Sequence, residues 1–177
     1  RSGARAQAIQ EFAACLRNWP ENAVAIYNTV QVYRQARMTD FAASAAQKLI
    51  TTYPGNEEAY GLLFNVLREG ERREDARKAA ESAFALFPNV EESYLNLASA
   101  YMEQGELDPA QQALRQGLQA FPDSAPLRLQ LASVLLTAGD PEAAATSLET
   151  PVPAEDEARR LGLLAFAETQ TANVYEP

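Results

Sequence analysis

The sequence predicts an all-α protein, a solenoid of helix-turn-helix repeats that are 34 residues long. Three observations lead to this prediction: evenly spaced prolines, apolar residues at helical intervals between them, and a column of alanines in register. The prolines each follow an aromatic residue and recur every 34 positions, as Trp19-Pro20, Tyr53-Pro54, Phe87-Pro88 and Phe121-Pro122. Because proline cannot continue a helix, each pair is expected to end one helical hairpin, with its aromatic ring packed between neighbouring repeats.

The stretches between these prolines each hold two amphipathic helices. In the third stretch, apolar residues recur three and four positions apart, first at Tyr94, Leu97, Ala98 and Tyr101, then at Ala110, Ala113, Leu114 and Leu118. Glycine marks the turn between the two helices in three of the four repeats, at Gly70, Gly105 and Gly139, and Ala36-Arg37 takes its place in the first. We therefore expect glycine to end the first helix in those three repeats.

Counting each proline as position 32 starts the complete repeats at Ala23, Glu57, Glu91 and Ala125. Position 20 is then alanine five times in succession, at Ala8, Ala42, Ala76, Ala110 and Ala144. Position 4 holds Ile26, Tyr60, Tyr94 and Arg128. The period and these columns resemble the tetratricopeptide repeat family over residues 4 to 148. The resemblance implies a right-handed α-α superhelix of about 9–10 helices, with a small residue at position 20 where the two helices of a repeat approach closely.

The second repeat departs from the family's pattern at two positions. Phe64 stands at position 8, where Ala98 and Ala132 are small, and Ala80 is small at position 24, where the family is usually large. An exchange of large for small inside one hairpin would conserve volume. We therefore expect the second repeat to be repacked and intact.

The resemblance divides the chain into a single solenoid over 1–177. Its parts are a partial repeat 1–22, complete repeats 23–56, 57–90, 91–124 and 125–153, a C-terminal helix 154–170, and a loose tail 171–177. Residues 4–18 read as the second helix of a repeat whose first helix is missing. In the C-terminal helix, Leu161-Gly162 resembles the Leu-Gly pair of the family's first helix, so this helix is either a cap or a truncated fifth repeat. Because the chain starts at Arg1 without a methionine, we expect it to be a piece of a longer protein.

The composition argues against a catalytic or cofactor-binding role. The chain has no histidine and one cysteine, Cys15, which excludes imidazole-based catalysis and nearly excludes an ordinary zinc site. Glu57-Glu58 and Glu91-Glu92 each open a predicted helix, where acidic side chains favour the positive end of the helix dipole. A net charge of −9 argues against a nucleic-acid partner, and no apolar run is long enough to span a membrane. We expect no enzyme activity, cofactor or metal.

In the resembled family, the first helices of successive repeats line a concave groove. Carrying those positions over gives a candidate peptide-binding groove that combines amide, hydroxyl, apolar and arginine side chains: Tyr27, Asn28, Gln31, Arg34, Leu62, Asn65, Arg68, Leu95, Asn96, Ser99, Gln130 and Ser133. A ladder of amides and hydroxyls offers donors and acceptors to the backbone of an extended or helical peptide. The alternative is that these polar residues simply solvate the helix surface.

Three functions are compatible with the sequence. The first is an adaptor or scaffold that binds a partner protein or peptide in the groove. The second is a regulatory or substrate-recruiting segment of a larger enzyme or of a secretion or assembly machine. The third is self-association through the exposed terminal helices of the solenoid, which lack a neighbour on one side.

Overall fold

The structure is a computed structural model that describes residues 20–175 and, in the preceding segment, Gln7, Gln10, Glu11, Ala14, Arg17 and Asn18. Those six residues are helical, and for residues 173–175 the backbone alone is described. The predictions for Ala8, Cys15 and Trp19, and with them most of the partial repeat at 1–22, lie outside the described residues.

The described part of the chain from residue 20 onward contains nine helices and no strand. They are α1 (Ala23–Gln35), α2 (Thr39–Thr52), α3 (Glu57–Glu69), α4 (Arg73–Leu86), α5 (Glu91–Glu103), α6 (Leu107–Ala120), α7 (Ala125–Thr137), α8 (Pro141–Ser147) and α9 (Ala154–Tyr175). Each complete repeat contributes two antiparallel helices in the predicted register. The predicted all-α helical-repeat fold is confirmed.

The chain divides into two compact units, residues 1–87 and 88–177. In the N-terminal unit, α1 pairs with α2 and α3 pairs with α4, while α2 packs against α3. In the C-terminal unit, α5 pairs with α6 and α7 pairs with α8, and α6 packs against α7. The final helix, α9, packs against α8 and α7. The single solenoid expected over 1–177 stays a prediction.

Polar side chains cap most of the first helices of the repeats. The Asn22 and Asn56 side chains accept hydrogen bonds from backbone amides three residues later, at 2.9 and 3.3 Å. Ser124 accepts in the same way at 3.1 Å, whereas Val90 precedes α5 without a side-chain cap. Such caps satisfy amides that the helix itself leaves unpaired. The predicted acidic openings are confirmed, because α3 begins with Glu57-Glu58 and α5 with Glu91-Glu92.

The turn inside each repeat contains one residue with positive φ, but it is glycine in only two repeats. Gly105 and Gly139 have φ of 78° and 80°, while Arg37 and Glu71 take the same place with φ of 57° and 59°. Gly70 ends the first helix of its repeat as predicted, since it is the C-cap residue of α3, but its φ is −87° and Glu71 makes the left-handed turn. Gly70 serves close packing instead: a Cβ there would lie 2.2 Å from Thr39 Cγ2.

Replacing Glu71 with glycine is expected to raise the free energy of unfolding by about 1 kcal/mol. A non-glycine residue carries a steric penalty at positive φ that glycine does not. Glu71 is exposed, so few contacts are lost with its side chain. The matched change in the opposite direction, Gly105→Ala, is expected to lower the free energy of unfolding by a similar amount. Urea denaturation followed by circular dichroism measures both free energies of unfolding. Equal changes of the same sign in the two variants would contradict the positive φ at Glu71 and Gly105.

The alanines of position 20 form the buried line of contact between the paired helices. Ala42, Ala76, Ala110 and Ala144 have exposed fractions of 0, 1, 0 and 0%. In the second repeat, Phe64 is 1% exposed and Ala80 is 0% exposed, so the large and the small residue are both enclosed. Their exchange of volume stays a prediction, which two variants described in the Discussion would test.

The aromatic residues before the prolines pack mainly inside their own repeats, which differs from the expectation of packing between repeats. The Phe87 ring meets Tyr60 edge-on with centroids 5.2 Å apart, and Phe121 meets Tyr94 with centroids 6.1 Å apart. Each pair joins the end of a second helix to the start of its own first helix. Tyr53 does reach the preceding repeat, where its hydroxyl donates to the Glu21 carbonyl.

The prolines have a second role, because their carbonyl groups accept hydrogen bonds from position 4 of the following repeat. The hydroxyls of Tyr60 and Tyr94 donate to the carbonyls of Pro54 and Pro88, at 3.5 and 2.8 Å. Arg128 Nη2 donates to the Pro122 carbonyl at 2.8 Å, so the arginine makes the same kind of bond as the two tyrosines of this column. Arg128 is 8% exposed, so this bond meets the need of a buried donor.

The C-terminal helices differ in length from the complete repeats. Helix α8 has 7 residues and ends at Ser147, shortly before Pro151 and Pro153. The loose tail predicted from Thr171 was wrong for residues 171–175, which continue α9 to Tyr175. Neither proline nor glycine interrupts the chain between 163 and 175, so nothing local stops the helix.

Candidate peptide-binding surface

In the N-terminal unit, the predicted groove residues lie on α1 and α3. Tyr27 is 42% exposed, and Asn28, Gln31 and Asn65 are half-buried. Leu62 is only 7% exposed and contributes to the core more than to the surface. The amides of α1 are therefore accessible. Most of the Leu62 side chain is buried in the core, so little of it is exposed for the expected apolar contact with a peptide.

The two predicted groove arginines of this unit, Arg34 and Arg68, contact neighbouring side chains. Arg34 Nε lies 3.0 Å from Glu69 Oε2, which joins α1 to α3. Arg68 donates to Asn65 Oδ1 at 3.3 Å, and its guanidinium carbon lies 5.5 Å from the centre of the Phe64 ring. Both ions are partly exposed, so these contacts orient the side chains more than they stabilise the fold.

By contrast, the amides of Asn28 and Gln31 have no hydrogen-bond partner among the described residues. They stand three residues apart on α1, so both side chains project from the same side of the helix. A half-buried amide without a partner gains more from a hydrogen bond than a fully solvated one does. Of the three predicted groove amides in this unit, these two have no described hydrogen-bond partner, whereas Asn65 accepts from Arg68.

In the C-terminal unit, a hydrogen bond joins two of the predicted groove residues, one on α5 and one on α7. Gln130 Nε2 donates to Ser99 Oγ at 2.8 Å and lies 3.9 Å from Met102 Sδ. Asn96 is only 7% exposed because α5 packs directly against α7. Leu95 and Ser133 are half-buried. Here the Gln130–Ser99 pair of the polar ladder connects α5 to α7.

Two residues of the N-terminal unit were missed by the sequence reasoning. Val24 is 68% exposed and lines a shallow cavity of about 240 Å³ with Tyr27 and Leu49. Glu69 was not predicted either, although it holds Arg34. Val24 stands at position 2, which faces the groove in the resembled family, so the register could have found it. The sequence does not indicate the ion pair of Glu69 with Arg34, because that contact depends on how α1 packs beside α3.

Groups that could support chemistry are not gathered at this surface. The carboxyls with shifted pKa values belong to ion pairs elsewhere: hydrogen bonds from Arg77 and Arg160 lower the pKa of Glu74 and Glu157 below the ordinary value. In the part of the chain that the structure describes, no histidine, cysteine and carboxylate cluster could hold a metal ion. None of the helices searched in that part is long and apolar enough to cross a membrane.

The paired helices, the buried alanine column and an accessible polar helix face define a helical-repeat protein of the kind that typically binds other proteins. The tetratricopeptide repeat family profile matches residues 91–134, the third repeat and the start of the fourth. This match, and the same 34-residue register on both sides of it, support a tetratricopeptide repeat assignment.

Solved structures of this fold cover nearly the whole chain at low sequence identity. TTC0263, a protein of Thermus thermophilus, has a TM-score of 0.66 at 20% identity, covering 96% of this chain and 92% of its own. MamA 41-end from Desulfovibrio magneticus RS-1 has a TM-score of 0.67 at 18% identity, covering 83% of each chain. YrrB, described as having an unusual peptide-binding site, has a TM-score of 0.64 at 16% identity, covering 99% of this chain and 86% of its own. No curated protein matches the sequence.

Proposed function

We propose that this chain is a non-catalytic scaffold that binds a partner polypeptide on the first helices of its N-terminal unit. The observation that carries the proposal is the pair of half-buried, unpartnered amides of Asn28 and Gln31 beside the exposed ring of Tyr27. Amides can donate to and accept from a peptide backbone, and a tyrosine ring supplies contact area with little loss of side-chain freedom.

The neighbouring surface suits a peptide more than a compact small molecule. The cavity beside Tyr27 is open and about 240 Å³ in volume, with Val24 and Leu49 as apolar walls and Glu58 at its edge. Arg34 and Glu69 lie further along α1 and α3 and add one group of each charge. A peptide can therefore lay an apolar side chain in the cavity while its backbone meets the two amides.

Removing these amides is expected to weaken peptide binding without unfolding the protein. The test is selection from a display library of random peptides on the chain, followed by titration of an enriched peptide into wild type and into the Asn28→Ala/Gln31→Ala/Asn65→Ala variant. Each lost hydrogen bond contributes about 0.5–1.5 kcal/mol, so Kd should rise by about tenfold or more. Asn96 is left unchanged because it is buried.

The matched control removes three exposed glutamines from second helices, Gln47→Ala, Gln112→Ala and Gln119→Ala, and should leave Kd unchanged. Circular dichroism melting of both variants checks that the fold is retained. Failure to enrich any peptide, or equal Kd values for the wild type and the amide variant, would contradict the proposal.

A further inference from the structure

Another cavity, the arginine cavity, lies at the ends of α1 and α3 that are opposite to the Tyr27 cavity. Its volume is about 390 Å³, and it is bounded by the last turn of α1, the turn that follows, the start of α2 and the end of α3. Ala42 and Val66, which are 0 and 2% exposed, form its apolar wall. The other residues that line it are polar or charged: Arg34, Arg37, Thr39 and Glu69. All of them belong to the N-terminal unit.

Two donor groups of the arginine cavity have no partner among the described residues. The guanidinium of Arg37 makes no ion pair or hydrogen bond with them, although the whole chain has 24 acidic and only 15 basic residues. The hydroxyl of Thr39 is half-buried and has no hydrogen-bond partner among them either. A partly buried polar group gains more from a hydrogen bond than a fully solvated one does. The cavity therefore offers donors that the described part of the protein does not use.

The charges of the arginine cavity complement one carboxylate. Arg34 and Arg37 are positive, and Glu69, whose Oε2 lies 3.0 Å from Arg34 Nε, is negative, so the balance is a single positive charge. A carboxylate has one negative charge, whereas a phosphate monoester carries about −1.5 to −2 at pH 7. Guanidinium and hydroxyl groups both donate to carboxylate oxygens, and an arginine has more N–H donors than one contact with Glu69 occupies.

The amides of α1 lie between the Tyr27 cavity and the arginine cavity. Asn28, Gln31 and Arg34 follow one another at intervals of three residues, so their side chains project from neighbouring points along one side of the helix. Val24, which lines the first cavity, and Arg34, which lines the second, are about 15 Å apart along the helix axis at 1.5 Å per residue. An extended peptide spans that distance with about four to five residues.

We propose that the arginine cavity binds the side-chain carboxylate of an acidic residue in the partner peptide, about four to five residues from an apolar residue beside Tyr27. This inference rests on the proposed peptide-binding function and adds a sequence preference to it. The backbone between the two anchoring residues lies over Asn28 and Gln31. The anchors set the register of the peptide, which the amides alone do not, because each amide can donate to or accept from any peptide group.

Peptide selection followed by titration tests the preference. Enriched peptides should carry Glu or Asp about four to five residues from an apolar residue. One of them is synthesised with Glu and with Gln at that position, both with an amidated C-terminus so that only the side chain differs in charge. With the wild type, the Kd of the Gln peptide should be about tenfold higher than that of the Glu peptide, because charge-assisted hydrogen bonds are lost.

Two protein variants connect this difference to the arginine cavity. In Arg37→Gln, the Kd values of the two peptides should differ by about threefold or less, because one of the cationic donors is gone. Arg115→Gln is the matched control, since it removes the same charge from an exposed site on α6 in the other unit. There the difference between the peptides should stay as in the wild type. A phosphoserine peptide should bind the wild type more weakly than the Glu peptide, because Glu69 repels the second charge.

Glu69→Gln is expected to have the opposite effect to Arg37→Gln. It removes the negative charge of the cavity and the ion-pair partner of Arg34, so the Glu peptide should bind with a Kd about threefold lower. The Kd of the Gln peptide should not change. Circular dichroism melting of all variants checks that the fold is retained, since the Arg34–Glu69 pair is partly exposed and stabilises little.

The outcomes separate this inference from the function on which it rests. Equal effects of Arg37→Gln and Arg115→Gln, a raised Kd of the Glu peptide in Glu69→Gln, or tighter binding of the phosphoserine peptide would overturn the carboxylate assignment. Peptides whose Kd depends on the three amides but not on their own acidic residue would overturn it too, while the proposed function would stand. If no peptide is enriched, the proposed function fails and this inference fails with it.

Discussion

Replacing Phe64 with alanine is expected to lower the free energy of unfolding by about 3–5 kcal/mol. Phe64 is 1% exposed and is among the largest fully enclosed side chains of the described residues. Truncating it removes the favourable transfer of the ring from water and leaves a cavity that the surrounding helices fill only in part. Chemical denaturation of the wild type and of the variant measures the difference.

A matched control separates this cavity effect from the general loss of a phenylalanine. Phe41 lies in the same unit but is 56% exposed, and its ring contacts Tyr33 with centroids 5.4 Å apart. Phe41→Ala should therefore lower the free energy of unfolding by less than about 1.5 kcal/mol, the value of an aromatic pair. If the two variants lost equal stability, the Phe64 site would not be the enclosed core position described above.

The same site tests the exchange of volume in the second repeat. The third repeat pairs a small residue at position 8, Ala98, with a large one at position 24, Leu114, and both are 0% exposed. The double variant Phe64→Ala/Ala80→Leu gives the second repeat the same pair. It should recover most of the stability lost in Phe64→Ala, to within about 1.5 kcal/mol of the wild type. A double variant less stable than Phe64→Ala would show that the two sites do not share one space.

Replacing Ala110 with leucine is expected to lower the free energy of unfolding by about 1–3 kcal/mol. Ala110 is 0% exposed at position 20, where α5 and α6 approach each other closely. Three additional carbon atoms fit there only if the helices move apart or neighbouring side chains leave their preferred rotamers. Urea denaturation measures the loss.

The control for this change is Gln112→Leu, which adds leucine to the exposed side of the same helix. Glutamine and leucine have similar helix propensities, so its effect should stay within about 0.5 kcal/mol. A neutral result for Ala110→Leu would mean that the repeat register is wrong, because position 20 would then not lie at the close helix contact.

Several interactions depend on how hairpins and repeats meet, and the sequence could not indicate them. Gly70 ends α3 without a positive φ; it packs closely against Thr39 on a different hairpin, and Glu71 makes the left-handed turn. Arg128 is the charged residue of the position 4 column, and it donates to the Pro122 carbonyl at 2.8 Å. In both cases the residue type is explained by contacts with atoms that are close in space but belong to another hairpin or to the preceding repeat.

The candidate binding residues show the same dependence. Asn28 and Asn96 occupy the same position in their repeats, so the sequence treats them alike. In the structure Asn28 is half-buried without a partner among the described residues, whereas direct packing of α5 on α7 buries Asn96 to 7% exposure. Register predicts which residues share a helix face, but the distance between neighbouring first helices decides how much of that face stays open.

The sequence by itself determined the 34-residue register, the helix pairs and the buried alanine column of this protein. These features follow from local rules, because proline ends helices and apolar spacing selects the inward face. Only the tertiary structure decided which predicted groove amides have no hydrogen-bond partner among the described residues, and why Gly70 is glycine. Those features arise from contacts between separate hairpins, whose geometry no single 34-residue repeat encodes.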